Sequence, residues 1–593
     1  MQSNSEQKYK RCAGLLKDNF AFKINADGTY LNPESINCLH CNKAFAYHGS
    51  QTSLKYHLQH AHASHYQKIC YKLPKNEETL STSATKKSKI DEYFCQTQRP
   101  TTTELLQNIT ESLAKWIAKS GRPISVVEDE GLQTILRIAL QNECYTLPSR
   151  RTIDVLLANM YSDKLAELKL TVEVTCAVAL TCDFWTSFAN DSYCGITGHW
   201  INANWQMQHA VFQCSNIQDR HYATNLAEMI HKFVAEWKIS TKVKAIVTDN
   251  ARNMTAGIAM TDFTHIPCLA HCIQLSILRG FHDASTDGLF AICRQVVGHF
   301  KHSPANTKEL MQCSKSGIMK KLQADVSTRW NSKYVMMESL MQAKEPIMLY
   351  MVNHKGPKLL HTHWEQMSKY LEVLQLFCQA TELLGGENYV SCSCVLPLLS
   401  SLTRHMEVHD DDPGYIIRFK KAFLKDFALR LENINGIQLL YIATALDPRY
   451  KTMRCVSQEK RDFTWKEIER LCDEQNISSN EESHHINEVK SGRKKLMDLD
   501  DESDGICENT SIEIYTYKLE KRIPDAADPL LWWKANEHRF TRLGALAKSI
   551  LCIPATSVPC ERLFTSAGYI VNKLRSSLLP DNVNLLVCLR NWL

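Results

Sequence analysis

The spacing of apolar residues changes several times along this chain, and each change marks a boundary. In residues 1–70 apolar positions are sparse and surround a group of cysteines and histidines. Residues 71–103 are Ser/Thr/Lys-rich with little apolar content, the composition of a flexible basic linker. Over residues 104–168 the spacing becomes helical. Leu113, Trp116 and Ile117 fall on one face, and Ile135, Leu136, Ile138 and Leu140 form a second apolar group. Ser149-Arg150-Arg151 then leads into a run through Leu156, Leu157 and Met160. A small helical domain with a basic edge is expected there.

From residue 169 to 333 the period shortens. Val172–Trp185, Tyr193–Ile201 and His209–Ser215 read as three strands joined by turns at Asn190-Asp191 and Asn202–Trp205. A helix over Thr224–Trp237, a strand at Val243–Thr248, a short strand near His265–Cys268 and a helix through Leu275 and Leu278 follow. Three meandering strands followed by alternating helix and strand is the order of a ribonuclease-H-like α/β core. Residues 334–472 have helical spacing almost throughout and predict an all-helical segment. Residues 473–510 are acidic and Ser/Asn-rich, and disorder is expected. Order returns over 511–593, with helical runs at Leu543–Leu551 and Asn582–Leu593.

Composition narrows the class. At 593 residues the chain is too long for one hydrophobic core, so the fold is expected to be multidomain. An apolar share of 44% and a charged share of 22% are ordinary for a soluble protein, and no apolar run is long enough to span a bilayer. Met1–Lys10 is polar and lacks the apolar stretch of a signal peptide, which points to the cytosol or nucleus. The 23 cysteines are then expected to be reduced, and Cys176, Cys194, Cys378 and Cys394 read as small buried hydrophobes. A net charge of +5 does not by itself imply a nucleic-acid partner, but it hides basic clusters at Lys8, Lys10 and Arg11, at Lys86, Lys87 and Lys89, and at Arg150 and Arg151. The run Lys86-Lys87-Ser88-Lys89 reads equally as a nuclear-localisation signal or a solvated charge run.

One cysteine group has metal spacing. Cys38 and Cys41 form C-x2-C, and His57 and His62 form H-x4-H after a long spacer. Two thiolates on a tight turn and two imidazoles about one helical turn apart suit tetrahedral Zn2+. His60 and His65 are alternatives for the last ligand. The long spacer, the upstream Phe20 and Phe22 and Thr52-Ser53-Leu54 before His57 resemble a BED-type finger, with Phe where such fingers usually carry Trp. The resemblance implies that Ser50–His57 faces double-stranded DNA, with Lys55 touching a phosphate or base.

A second constellation is acidic. Asp183 ends the first predicted strand in Thr181–Ser187, and Asp249 ends the fourth in Val247–Ala251. In a ribonuclease-H-like sheet these strands are neighbours, and two carboxylates meeting at strand ends can hold a pair of divalent ions. An isolated Asp at such a position more often caps a turn or helix. Further motifs follow in order: Pro267–His271, Asp325–Ser332, and Pro554–Phe564 followed by Ser566-Ala567-Gly568. Together these resemble the hAT superfamily of transposases, and with the finger they resemble the BED-finger proteins derived from such transposons.

That resemblance implies that Asp183, Asp249 and Glu561 form an acidic triad using Mg2+ or Mn2+. It also implies that a large helical insertion separates Glu561 from the other two, and that residues 511–593 complete the core and form a dimerisation region. By the same resemblance Trp330, beside Arg329, stacks on distorted DNA, and Cys268 and His271 belong to a C-x2-H motif, read here as packing near DNA. The apolar residues Leu543, Leu546, Ile550, Leu551, Leu585 and Leu586 are candidates for self-association, a homodimer or higher assembly. Two readings stay open: a nuclear, zinc-dependent, sequence-specific DNA-binding regulator, and an active transposase that cuts and joins DNA. SUMO ligase activity is implied only by resemblance to the BED-finger proteins, since no ligase motif is evident. Ile90, Tyr93 and Phe94 resemble a sliding-clamp-binding peptide with Lys87 at its usual Gln position.

Overall fold

The computed structural model describes residues 9–11, 18–25, 27–47, 52–62, 102–187, 190–217, 222–314, 320–432, 436–484, 510–571 and 578–593. It divides into two units, Met1–Thr97 and Gln98–Leu593. The basic run at Lys86–Lys89, the peptide holding Ile90, Tyr93 and Phe94, and residues 485–509 of the acidic stretch lie outside the described residues.

In the first unit β1 (Tyr9–Arg11), β2 (Phe20–Lys23), β3 (Ser35–Cys38) and β4 (Ala44–Ala46) form an antiparallel sheet in sequence order, followed by α1 (Thr52–Ala61). Its core is Phe20, Ile36 and Cys38 from the sheet with Leu54 and Leu58, one turn apart on α1. So few apolar groups do not hold a fold by themselves, and a staple is needed.

The second unit opens with α2 (Thr103–Ser120), α3 (Glu130–Leu140) and α4 (Arg150–Glu173). Each helix has an N-terminal side-chain cap, from Thr102, Asp129 and Ser149, that accepts a backbone N–H otherwise left unpaired. Leu113 and Ile117 are buried as their spacing predicts, but Trp116 is 38% exposed, with Arg122 over its ring. On α3, Leu132 and Leu136 pack inward whereas Ile135 and Ile138 remain 63% and 72% exposed, because one short helix cannot bury both sides. α4 also runs through Val172, which had read as the start of a strand. Val172 is fully buried on the inner side of that helix, and burial outweighs the β-branched preference.

The sheet is built from β5 (Val178–Thr186), β6 (Ser192–Ile201) and β7 (Met207–Ile217), then α5 (Ala223–Glu236), β8 (Val243–Thr248), α6 (Arg252–Ala259), β9 (His265–Pro267) and α7 (Leu269–Asp283). Its order is β7-β6-β5-β8-β9. The first three strands pair antiparallel, and β8 runs parallel to β5 and β9 parallel to β8. This is the ribonuclease-H-like arrangement, with Asn190 and Trp205 turning the chain in the left-handed region between antiparallel strands.

Helices interrupt that core: α8 (Asp287–Lys301), α9 (Pro304–Gln312), α10 (Trp330–Gln342), α11 (Lys344–Asn353), α12 (His361–Leu384), α13 (Val395–His405), α14 (Gly414–Glu432), α15 (Ile437–Leu446) and α16 (Gln458–His484). The last of these runs through the start of the acidic stretch expected to be disordered. It has no Pro or Gly to stop it, and Arg470 pairs with Glu467 and Glu474 along it. α17 (Thr510–Leu519), α18 (Pro529–Asn536), α19 (Thr541–Leu551), α20 (Val558–Ile570) and α21 (Pro580–Trp592) complete the unit.

Buried polar groups clasp these helices together. The fully buried Asp447 carboxylate accepts bonds from Arg449 (Nη2, 2.7 Å) and the Ser393 hydroxyl (2.6 Å), while Lys451 donates to the Tyr517 carbonyl (2.6 Å). Leu543, Leu546, Ile550 and Leu551 lie in the same core as the helical insertion. Leu586 is buried against α2 and α4, with Leu585 partly buried beside it. These residues therefore form intramolecular core rather than a free surface. Among the cysteines singled out, Cys194 and Cys394 are buried, Cys378 is partly so, and Cys176 is exposed just ahead of β5. Among the described residues, no helix is long and apolar enough to cross a membrane.

Candidate functional site

In the first unit the chain leaves β3 at Cys38 and turns back through Asn42, whose φ of 58° closes a tight loop. The Asn42 amide donates to the Cys38 carbonyl (2.9 Å) and the Cys38 amide to the Lys43 carbonyl (3.0 Å), which brings Cys41 round beside Cys38. His57 projects from α1 and His62 follows that helix, its amide still bonded to the Leu58 carbonyl (3.0 Å). The ligand atoms of Cys38, Cys41, His57 and His62 all lie within 4.8 Å of one another, and Cys41 Sγ is 3.2 Å from His57 Nε2.

Two further observations fit a metal. His62 Nε2 is buried without a hydrogen-bond partner among the described residues. His57 is held neutral below its ordinary range by burial and by the neighbouring His62 and Lys43, leaving a lone pair free to ligate. For the fourth ligand His62 joins the group, and the side chains of the alternatives, His60 and His65, lie outside what the structure describes. Zn2+ there would supply the cross-link that the small core lacks. Lys55 is exposed on α1 beside Tyr56.

In the second unit β5 and β8 pair in parallel as far as Cys182 opposite Thr248. Asp249 is the first residue beyond β8, whereas Asp183, expected at a strand end, lies within β5, which runs on to Thr186 paired with β6 alone; the two acids therefore sit side by side where the parallel pairing stops. Asp183 Oδ1 accepts the Phe184 amide (2.8 Å), and Asp249 Oδ1 accepts the Ala251 amide (3.2 Å) at the start of α6. Burial, and then the Asp249 and Glu561 carboxylates, push Asp183 up to about 7, a partly desolvated acid among like charges.

Glu561 arrives from the far end of the chain in the first turn of α20. The residue before it anchors that helix: the buried Cys560 thiol lies 3.1 Å from Thr181 Oγ1 and 3.4 Å from the Gly195 carbonyl. Gly195 stands directly across from Asp183, and a Cβ there would come within 2.8 Å of Leu563 and Phe564 on α20. The missing side chain therefore permits the approach that brings Glu561 in. Neither Cys560 nor Gly195 had been singled out in the sequence, since their contacts join strands to a helix far along the chain.

Asp183, Glu561, His271, Arg329 and Trp330 line one cleft of about 830 Å3. Among the described residues the finger is the group drawn together as a metal cluster, and the three acids converge without closing as tightly. Two carboxylates lining a cleft, with Asp249 beside Asp183, are nonetheless a hard oxygen donor set suited to Mg2+ or Mn2+. His271 is held below its ordinary range by burial, against the opposing pull of Asp249 and Glu561. Cys268, fully buried, is a packing residue.

The residues expected to touch DNA are placed differently from one another. Arg329 is exposed at the cleft, whereas Trp330 is only 1% exposed and belongs to the core beneath it. Its indole is not presented for stacking in this conformation. Asp325, which opens that motif, makes a two-pronged ion pair with Arg294 (2.8 and 2.7 Å). Arg150 is paired with Glu128, and Arg151 is exposed beside it at the start of α4.

Family comparisons agree with this architecture. Residues 29–63 match the BED zinc finger, 181–262 the ZBED1 RNase-like domain, 266–372 the ZBED1 RNase-like helical domain and 513–593 the hAT family C-terminal dimerisation region. The chain thus has the domain set of a BED-finger protein of hAT-transposase descent. Among individual relatives, a Zea mays protein named as an AC transposase is 23% identical, covering 79% of this chain and 63% of that protein. The human zinc finger BED domain-containing protein 4 is 22% identical over 82% of this chain and 43% of its own length. The Arabidopsis thaliana protein DAYSLEEPER is 23% identical over 94% and 84%, respectively. The chain spans under two thirds of the two Zea mays relatives, at 63% and 64% of their lengths.

Proposed function

We propose that this is a nuclear, zinc-dependent, sequence-specific DNA-binding protein that self-associates and acts in transcription regulation. The observation that carries the reading is the finger: four convergent ligands, an orphaned His62 Nε2, and an α1 that exposes Lys55. The match of residues 513–593 to a dimerisation region supports self-association. Selection of bound duplexes from a random library should enrich one motif for the parent and none for Cys41→Ser, which should also lose its zinc. Unchanged zinc stoichiometry in that variant, or no enriched motif for the parent, overturns the reading.

A second reading, DNA strand cleavage and transfer, is favoured by Asp183 and Glu561 in the lining of one cleft, with Asp249 close enough to raise the pKa of Asp183. Held there, Mg2+ or Mn2+ would activate water and steady the leaving oxygen of a phosphodiester. The chain's own part is to hold Asp183 within β5, Asp249 just past the end of β8 and Glu561 at a helix start, and to keep Asp183 partly desolvated. Terminal-repeat DNA should be cut by the parent and not by Asp183→Ala, Asp249→Ala or Glu561→Ala. If all three cut as the parent does, these acids are not the catalytic set.

A further inference from the structure

Beside the acidic cleft lies a second groove of about 630 Å3, formed by the end of α8, by α9 and by residues 321–324. The two share Gln323 and Ala324 in their walls, so one opens next to the other. The buried Phe300 and Leu310 form the base of the groove, and Lys301, Lys308 and Lys321 stand exposed around it. Among the described residues, no acidic residue lines it. Of the nearby acids, Glu309 Oε2 lies 3.0 Å from His354 Nε2, and Asp325 is held by Arg294 with its own side chain 2% exposed. Among the described residues, no ion pair is formed by any of the three lysines.

Three ammonium groups with no ion-pair partner among the described residues, and no carboxylate in the described lining, make the groove locally positive. Such a concave cluster attracts a polyanion and releases its counterions. The adjoining cleft has the opposite character, with Asp183 and Glu561 in its lining. A nucleic-acid strand with one phosphate at the acids must place its next phosphates outside them, and the lysine groove is continuous with that exit. We propose that Lys301, Lys308 and Lys321 bind the phosphate backbone of a DNA strand leaving the acidic cleft. The proposal rests on the reading of that cleft as a DNA site.

The test uses the full chain and a duplex with a single-stranded extension, with affinity measured across a KCl series. In Lys301→Ser/Lys308→Ser/Lys321→Ser the slope of log affinity against log salt should fall in magnitude by about 2 to 3, at roughly 0.7 to 0.9 per lost phosphate contact. The corresponding triple Arg variant should keep the parent slope, which separates charge from folding. An unchanged slope in the Ser variant overturns the groove, as does an equal loss in the Arg variant. Ca2+ reports on the cleft separately: it should tighten binding by the parent and by the Ser variant, but not by Asp183→Ala/Asp249→Ala/Glu561→Ala. No Ca2+ effect in the parent removes the cleft reading, even where the salt slope responds to the lysines.

Discussion

Asp183→Asn isolates the electrostatic cost of the acidic cleft. Burial and the Asp249 carboxylate raise Asp183 from its ordinary 3.8 to about 7. Because the folded state binds this proton more tightly than the unfolded chain, the group's effect on stability is absent below about pH 4. It turns unfavourable as the pH climbs towards 7 and is constant above that. At about 1.36 kcal/mol for each tenfold change in proton affinity, the full effect is at most about 4 kcal/mol.

Asparagine removes the charge and can keep the bond that Oδ1 accepts from the Phe184 amide. For a unit the size of Gln98–Leu593, unfolding entropy near Tm is about 1 kcal/mol per kelvin, so the variant should melt up to about 4 °C above the parent. Scanning calorimetry at pH 4 and pH 8 checks this: the two proteins should nearly coincide at the lower pH and separate at the higher. Added Mn2+ should stabilise the parent at pH 8 by mass action and the variant much less. A variant that melts below the parent at pH 8, or a gap of equal size at both pH values, refutes the argument.

Other perturbations address the scaffold. Arg449→Met leaves the buried Asp447 carboxylate without its ion pair and should cost about 3 to 5 kcal/mol, read by urea unfolding; Asp447→Asn in the same chain should restore part of the loss. Gly195→Ala places a Cβ within 2.8 Å of Leu563 and Phe564. It should destabilise the unit by about 1 to 3 kcal/mol and weaken Mn2+ binding through displacement of Glu561, measured by titration calorimetry. Trp330→Ala should lower stability by about 3 to 5 kcal/mol without any DNA present, as expected for a core indole; an unchanged Tm would return that residue to a surface role.

Asp183 and Asp249 were legible because each follows a run of β-branched and apolar residues at the point where the parallel pairing of β5 with β8 stops, although β5 itself continues past Asp183 to Thr186. Glu561 was legible only through family resemblance, since nothing near it in the chain reveals that α20 docks on β6. The anchors of that docking, Cys560 and Gly195, look locally like any small residues. Trp330 stands next to an exposed arginine in the chain, and its burial is decided by the helices around it. The C-terminal leucines show a similar ambiguity: an apolar stripe has the same composition whether it covers a neighbouring helix or a second molecule. Val172 failed in the other direction, where a local preference for strand yielded to a buried helical position.

The closing of the second unit has a consequence for its synthesis. α21 buries Val583, Leu586 and Leu589 in one cluster with Leu113 and Ile117 of α2 and Ile153 and Leu157 of α4. Lys119 reaches the Leu593 carbonyl (2.8 Å), and the Asn584 and Asn591 side chains accept backbone amides of β7. The ribosome therefore releases α2, α4 and one edge of the sheet long before the helix that covers them exists. Until α21 emerges, those apolar faces are open to chaperones or to another nascent copy. Ribosome-bound chains stalled before residue 580 should accordingly be protease-sensitive around α2 in a way that a chain carrying α21 is not.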